Sequence, residues 1–461
     1  MYKKKEHIHF IGIGGIGMSG IAIILRQQGY TISGCDNDLC QQTIKNMESL
    51  GCIIFGGNNS LNCMNDTIDI IVYSTAIKPD HPEILRAQKR GIPVIHRAQM
   101  LAEIMRTKYS IAITGSHGKT TTSSIVAHIL MEAKYDPTIL LGGHLTKLGT
   151  NAKLGNGNFL VAEADESDRS FILLQPTISL ITNISLEHLE TYNDLDDIKK
   201  TYSLFLEKLP FYGTAFLCID DKNICEIIPK KDISVITYGT SPAATFFAEQ
   251  ISLFATHSTY ILRNNNNKPQ VVTVPIPGIH NVQNSLGALA IAQHIGISQQ
   301  VAISALKSFA GVDRRFSFRG ISKQGAELFD DYGHHPLEIE KTFQIAKQRT
   351  KGKLIVAFQP HRFTRTKALW NEFINVLAHA PIDHLILTDI YPASEVAIDG
   401  ITTEQLKDAI TKKNPLFSIE YIPLDSQFTF LQQALHLNAK KEDLILIQGA
   451  GNLYKIIPTL L

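Results

Sequence analysis

Residues 109–122 read YSIAITGSHGKTTT. The apolar run Tyr109–Ile113 has the make-up of a buried strand. It ends in Thr114-Gly115-Ser116-His117-Gly118-Lys119-Thr120-Thr121, and the helix-like SSIVAHILMEA follows. Strand, glycine turn and helix together form the layout of a phosphate-cradling loop. Gly115 and Gly118 let the backbone turn and aim N–H groups inward. Lys119 can reach terminal phosphates, and the Thr120 hydroxyl can join the shell of a magnesium ion. An ordinary helix cap needs a Ser or Thr but not Gly-Lys-Thr after a strand. The longer phosphate-loop pattern has a further glycine where this chain has Ile113, so the loop is the shortened form GxxGK[ST].

On the N-terminal side, HIHFIGIGGIG (7–17) reads as a buried strand entering Gly12-x-Gly14-x-x-Gly17, with a helix from about Met18 to Gln28. A second strand, YTISGCD, ends at Asp36, about twenty residues on. This is a mononucleotide-binding layout: the glycines admit a diphosphate to the helix N-terminus, and the acid sits near a ribose or base. By itself it does not separate NAD from another nucleotide diphosphate. Lys3–Lys5 before this apolar run resembles a leader. Five glycines from Gly12 to Gly20, the lack of a small-residue cleavage pattern and the strand-like TISGC favour a strand, turn and helix. Further strands are expected at CIIF (52–55) and DIIVYST (69–75), the latter delivering Ser74 and Thr75 to a carboxyl edge. A linker falls near Arg106–Lys108.

On the C-terminal side, NFLVAEADESDRSF (158–171) delivers Glu163, Asp165, Glu166, Ser167 and Asp168 at a strand end. So many oxygen-bearing side chains form either a solvated turn or the surroundings of a cation. With a phosphate loop upstream, magnesium is the better reading. In ISLITNISLEHLETY (178–192) an apolar strand ends at Thr182-Asn183, and Glu187-His188 follow. His188 is a candidate metal or phosphate ligand. Residues 236–275, with RNNNNKP (263–269), read as a small antiparallel insert with a hairpin. Asn281 and Asn284 open the next helix, where they can cap it or read a base. Capping explains only one of them.

Gly311 to Phe316, with Arg314-Arg315, marks a joint. Beyond it, AELFDDY, KLIVAFQP, HLILTDIYP, FSIEYI and LILIQGAG alternate with helices, which means a third, parallel sheet. Polar clusters end four of these strands: Asp330 to Pro336, Gln359 to Thr366, Asp389 to Pro392 with Glu395, and Gln448 to Gly451. Four in succession point to one functional edge.

The chain has 461 residues, a formal net charge of +1 and 19% charged residues. Length alone suggests roughly three domains. The charge balance gives no reason to expect a nucleic-acid partner. No segment approaches membrane length, so a soluble protein is expected. Six cysteines (35, 40, 52, 63, 218, 225) show no CxxC pair and no zinc-type spacing, which reads as reduced, buried or incidental thiols of a cytosolic protein.

In order, GIGGIGMSG, GSHGKTTT, EADESD, GIHNVQN, DDYGHHPLE and FQPHRFTRT resemble the Mur ligases of bacterial cell-wall synthesis, over essentially the whole chain. The resemblance implies an α/β protein of three domains: a UDP-sugar-binding Rossmann-like domain (1–108), a central ATP-binding domain with a parallel sheet and a small antiparallel insert (109–313), and a C-terminal amino-acid-binding Rossmann-like domain (314–461). It implies ATP-driven joining of L-alanine to the lactyl carboxylate of UDP-N-acetylmuramate through an acyl phosphate, with ATP and Mg²⁺ required. No nucleic acid and no membrane insertion are expected, and the form is a monomer or weak homodimer in the cytoplasm. Gly12, Gly14, Gly15, Gly17, Met18 and Ser19 would hold the diphosphate of the UDP sugar, with Asp36, Ser74 and Thr75 nearby. Gly115, Ser116, His117, Gly118, Lys119, Thr120 and Thr121 would bind the ATP phosphates. Thr120, Glu163 and His188 would serve magnesium. Asn281 and Asn284 would lie near adenine, and Arg315 and Asp331 would reach ATP. Tyr332, His334, His361, Arg362 and Arg365 would surround the amino acid and the acyl phosphate. Either His334 or His361 would handle the amine proton. Family members commonly have Asp-His where this chain has Glu187-His188, so His188, not Glu187, is the expected ligand. A family member that joins a recycled peptide, and an NAD-linked or regulatory protein, are the rival readings. The latter would leave either the phosphate loop or the polar edge of the third domain without a task.

Overall fold

The computed structural model describes residues 6–57, 63, 67–145, 150–188, 191–229, 233–264, 267–393 and 395–461. Lys3–Lys5 and two asparagines of the 263–269 turn lie outside these. Three sheets carry the chain, each interleaved with helices, and no described helix is long and apolar enough to cross a membrane.

The first sheet has strands β1 (His7–Ile11), β2 (Thr31–Asp36), β3 (Ile53–Gly56), β4 (Ile70–Tyr73) and β5 (Val94–His96). They run parallel in the order β3-β2-β1-β4-β5. Every residue of β1 is buried, as expected for a central parallel strand covered on both faces. In register, Ile11 lies beside Cys35 and Tyr73. The glycine turn, Asp36 and Ser74 therefore leave the sheet at one carboxyl edge, where open α/β sheets take their ligands. The helix after the glycines spans Ile16–Gln27, starting two residues earlier than expected.

The second sheet comprises β6 (Tyr109–Thr114), β7 (Thr138–Leu145), β8 (Thr150–Lys153), β9 (Phe159–Glu163), β10 (Ile178–Ile181), β11 (Thr214–Cys218), β12 (Ser234–Gly239), β13 (Phe246–Leu253), β14 (Ser258–Asn264) and β15 (Gln270–Val274). Its order is β15-β14-β13-β12-β11-β10-β6-β9-β7-β8. Ile113 is in register with both Glu163 and Leu180. The phosphate loop, the acidic run and the Thr182-Asn183 corner thus emerge side by side. The expected antiparallel insert is the β14–β15 hairpin, yet it extends the main sheet: β12 and β13 are parallel members of it. The antiparallel edge strand β8 was not anticipated.

The third sheet has β16 (Ser317–Ile321), β17 (Glu327–Asp331), β18 (Leu354–Phe358), β19 (His384–Leu387), β20 (Ile419–Tyr421) and β21 (Leu444–Gln448). The order is β16-β17-β21-β18-β19-β20, all parallel except β16. Separate apolar cores cover its two faces, one around Phe343, Phe358 and Phe373, the other around Ile355, Ile445 and Leu453. Gln448 is level with Asp331 and with Phe358, and Phe358 with Leu387. All four polar clusters seen in the sequence therefore lie along one edge.

The chain forms two compact units. One holds the first two sheets (Met1–Ser252, Ser258–Pro275, Ile279–Ala310). The other holds the third (Leu253–His257, Ile276–Gly278, Gly311–Leu461).

Candidate active site

The phosphate loop is held rigidly from β10. Ser116 donates its N–H to the Asn183 carbonyl (3.0 Å), and His117 donates its N–H to Asn183 Oδ1 (2.9 Å). Asn183 Nδ2 and Thr182 Oγ1 donate to the His117 carbonyl at 3.0 and 2.6 Å. The loop passes so close to this corner that a Cβ on Gly115 would lie 2.1 Å from Thr182 Oγ1, and Gly115 has φ +130°. Glycine is required there on both counts. The helix Lys119–Glu132 starts directly after Gly118, so its first N–H groups lack intrahelical acceptors and face the loop mouth. Asn284 stands against this turn: its Oδ1 would be 2.7 Å from a Cβ on Gly118, and its Nδ2 donates to Asn281 Oδ1 (3.2 Å). Both asparagines are buried inside the helix Ile279–His294.

Lys119 folds back over its own loop. Its Nζ donates to the carbonyls of Gly115 (2.6 Å) and Ser116 (3.1 Å) and to Glu166 Oε1 (2.8 Å). Burial works against its charge, but Glu166, Asp165 and Glu163 outweigh burial and hold the ammonium above the ordinary lysine range. Thr120 Oγ1 donates to Glu163 Oε2 (2.8 Å), which also accepts from Gly142 N–H (3.0 Å). Burial pushes the Glu163 carboxyl up from its usual range, against the pull of Lys119.

The acidic run divides between tasks. Glu163 and Glu166 face the loop. Asp165 binds Arg97 Nη2 at 3.0 Å, and Asp168 lies 3.8 Å from both Arg97 Nη2 and His96 Nε2. His188, at φ +56°, places Nε2 3.4 Å from Glu166 Oε1 and 3.7 Å from Glu187 Oε2. Glu166, Glu187 and His188 thus gather three potential ligand atoms within 4.8 Å of one another, and Glu187 sits in the same cluster as the histidine preferred from the sequence. Glu166 Oε2 is buried and lacks a hydrogen-bond partner among the described residues. A buried carboxylate oxygen left so suits a hard cation, which prefers oxygen donors. Sequence reading noticed Glu166 only as one of a run, and Arg97 had no motif to mark it.

At the first sheet, Gly12 has φ +75°, Gly15 caps the following helix, and Met18 and Ser19 are buried within it. Asp36 does not stand open: its Oδ2 accepts from Gly14 N–H (2.8 Å), and its Oδ1 accepts from Asp38 N–H (3.1 Å). It knits the glycine turn. Ser74 and exposed Thr75 follow β4. Arg97 Nη1 comes 3.1 Å from where a side chain on Gly17 would begin.

In the second unit, Asp331 is fully engaged. Its carboxylate accepts from Phe316 N–H (2.8 Å), Gly333 N–H (2.8 Å), Gln448 Nε2 (2.7 Å) and Thr342 Oγ1 (3.3 Å). It braces the joint at Arg315-Phe316. Arg314 packs between Tyr332 and Tyr454 and donates to the Gly449 carbonyl. Arg315 lies over Tyr332 and 3.7 Å from Glu338. A ring series runs along the edge: Tyr332 to His334 (5.6 Å), His334 to His361 (5.7 Å), and His361 stacked on Tyr391 (5.4 Å). Arg365 Nη1 is 3.1 Å from His361 Nδ1, and half-exposed Arg362 lies 3.7 Å from Glu395. Burial lowers His334 to about 3, with Arg365 and His361 adding to it and Glu338 opposing. Burial and the flanking Arg365 and Arg362 lower His361 to about 4.

The first two sheets define a protein that can cradle a polyphosphate: a glycine loop at a helix start, a caged lysine and carboxylates at hand. Three domain families match in succession: "Mur ligase family, catalytic domain" at residues 7–109, "Mur ligase middle domain" at 113–292 and "Mur ligase, glutamate ligase domain" at 314–451. The UDP-N-acetylmuramate–L-alanine ligase of Syntrophus aciditrophicus is 43% identical over 461 residues, covering 100% of this chain and 94% of that protein. The ligase of the same name from Geotalea uraniireducens is 46% identical over 460 residues (100% and 98%). The crystal structure of the UDP-N-acetylmuramate–alanine ligase of Thermotoga maritima superposes with a TM-score of 0.81 at 26% identity, covering 99% and 98%. The chain belongs to the Mur ligase family.

Proposed function

We propose that the protein joins L-alanine to the lactyl carboxylate of UDP-N-acetylmuramate, converting ATP to ADP and phosphate, as a cytoplasmic step of peptidoglycan precursor synthesis. The observation that carries this is identity of 43–46% over the full chain with ligases of that name. A carboxylate resists attack by an amine. Transfer of the terminal phosphoryl group of ATP to it, with cleavage of the bond to ADP, gives an acyl phosphate with a good leaving group. Lys119 neutralises charge on the moving phosphoryl group while the loop N–H groups orient it, work that is electrostatic and positional. Magnesium, when bound, would withdraw charge from the phosphoryl oxygens, and Thr120, Glu163 and His188 are the residues proposed to hold it, with Glu166 beside them. The amine of alanine then attacks the acyl carbon and phosphate leaves. Arg362 and Arg365 supply forks for the alanine carboxylate. Tyr332, His334 and His361 line the edge where the amine would lose its proton.

Phosphate release from ATP is measured with UDP-N-acetylmuramate and a panel of amino acids and peptides. Release that requires both the sugar nucleotide and L-alanine, with the amide found by mass, is expected. Release with a tripeptide but not with alanine would make the protein a peptide-joining ligase instead.

A further inference from the structure

Away from the phosphate loop, the first sheet buries four side chains that bear metal-ligand atoms. His9 comes from β1, Cys35 from β2, Glu83 from the first turn of the helix Pro82–Lys89, and Cys63 from the connection after β3. Their side-chain donor atoms all lie within 4.8 Å of one another, and all four residues are buried. Around them is apolar packing from Ile11, Ile68, Ile71, Ile84 and Ala87.

We propose that His9, Cys35, Cys63 and Glu83 form a closed structural site for a zinc ion. Two of the six donor-to-donor edges, those from Glu83 to His9 and to Cys35, are close to what the ion asks for, and the others lie within 4.8 Å. His9 Nε2 is 3.3 Å from Glu83 Oε2, and Cys35 Sγ is 3.4 Å from both Glu83 oxygens. A tetrahedral zinc site with ordinary bond lengths has edges of about 3.4 Å between nitrogen and oxygen and about 3.6 Å between sulfur and oxygen. The donor set of two sulfurs, one imidazole and one carboxylate favours zinc over magnesium, which avoids sulfur. Burial of all four leaves no open position, the mark of a structural rather than a catalytic site.

The surrounding hydrogen bonds aim the imidazole. His9 Nδ1 is 2.8 Å from Ser33 Oγ, His7 Nε2 is 2.7 Å from the same oxygen, and His7 Nδ1 is 2.8 Å from Thr67 Oγ1. With the His9 proton on Nδ1 donated to Ser33, the serine donates onward to His7, and His7 to Thr67. His9 Nε2 is then left with its lone pair facing the two sulfurs and the carboxylate. A second hydrogen-bonding layer of this kind accompanies metal-bound histidines. On binding, the two thiols would release their protons to solvent and the ion would take up both sulfur lone pairs. The ion would fasten β1, β2, a helix and a long connection at one point. The inference does not depend on the ligase reading.

The test uses the full chain purified under reductant. Elemental analysis is expected to find one zinc per chain, retained through gel filtration in excess magnesium. Cobalt(II) loaded in its place is expected to give sulfur-to-metal charge transfer in the near ultraviolet and the strong visible bands of a tetrahedral site. Cys63→Ser should lose the zinc and weaken the charge transfer. Ser33→Ala, which leaves every ligand in place, should lower zinc affinity about 10–100-fold. A chain without zinc that takes up none and shows no charge transfer with cobalt overturns the proposal. So does a Cys35–Cys63 disulfide, seen as a loss of two hydrogens in mass, in a chain that binds no zinc after reduction. The cobalt spectrum of the unaltered chain decides the matter even where a variant fails to fold.

Discussion

His361 Nδ1 accepts a hydrogen bond from Arg365 Nη1 at 3.1 Å. A guanidinium only donates, so the neutral His361 ring carries its proton on Nε2. His334, whose ring lies 5.7 Å away, has Nδ1 3.3 Å from the Tyr332 carbonyl, which only accepts. Its proton is on Nδ1 and its Nε2 offers a lone pair. The two histidines of the third sheet therefore present opposite faces: one gives a hydrogen and the other takes one.

Of the two candidates for the amine proton, only His334 presents an uncommitted lone pair, and substrate would have to raise it from about 3 for it to take that proton. His334→Ala should lower kcat about 100-fold or more. His361→Ala should cost about 100-fold through loss of a donor, and His361→Gln, which keeps an N–H, should retain most of the activity. Steady-state kinetics on the three variants check the assignment, and a His361→Gln enzyme as poor as His361→Ala would contradict it.

The same pair makes folding sensitive to acid. Burial holds both rings below the ordinary value of 6.5, at about 3 for His334 and about 4 for His361. The unfolded chain then binds more protons than the folded one between pH 6.5 and those lowered values. Stability from this source is present above pH 6.5 and is lost as the pH falls toward 4 for His361 and toward 3 for His334. Urea unfolding at pH 7.5 and pH 5 should show a smaller acid loss in the His334→Gln/His361→Gln double variant than in the parent.

Lys119 and Glu166 form a buried ion pair at 2.8 Å. Lys119→Met should abolish ATP turnover and also destabilise the fold by about 3 kcal/mol, because Glu166 is left charged and buried. Lys119→Met/Glu166→Gln should recover the stability without the activity. Denaturant titration beside an ATPase assay separates the two losses.

Gly115→Ala should fail to give a native phosphate loop. Its Cβ would meet Thr182 Oγ1 at 2.1 Å, the Asn183 carbonyl at 2.9 Å and the Thr182 N at 3.0 Å. Adding Thr182→Ala removes only the first of these contacts, and so thermal stability and ATP binding should recover in part at most.

Much of this was legible before the structure. Buried parallel strands announce themselves as short apolar runs, and Tyr109–Ile113, DIIVYST and LILIQGAG each mark one, at Tyr109–Thr114, Ile70–Tyr73 and Leu444–Gln448. The loop at 115–121 was legible because its chemistry is local. What escaped reading depends on side chains meeting across distance. Arg97 and Asp165 are 68 residues apart. Asp36 also accepts from Gly14, and Asp331 from Phe316, Gly333 and Gln448, contacts that no local motif marks. Cys35 and Cys63, read as reduced, buried or incidental thiols, lie in one cluster, although spacing along a chain says nothing of distance through a sheet. The parallel pairing of β12 with β13 was missed because the flanking hairpin dominates the local pattern.

Arg97 stands with one nitrogen against Gly17, at the end of the glycine turn of the first sheet, and binds Asp165 with another. The side chain thus bridges two loops, one proposed for a sugar nucleotide and one beside the loop proposed for ATP. A ligand that shifts either loop must strain or relax the same guanidinium. Linkage of this kind is reciprocal: the factor by which one nucleotide alters affinity for the other is returned in full. Cooperation between the two nucleotide sites would then rest on a single side chain that lies against both loops and carries out no chemistry itself.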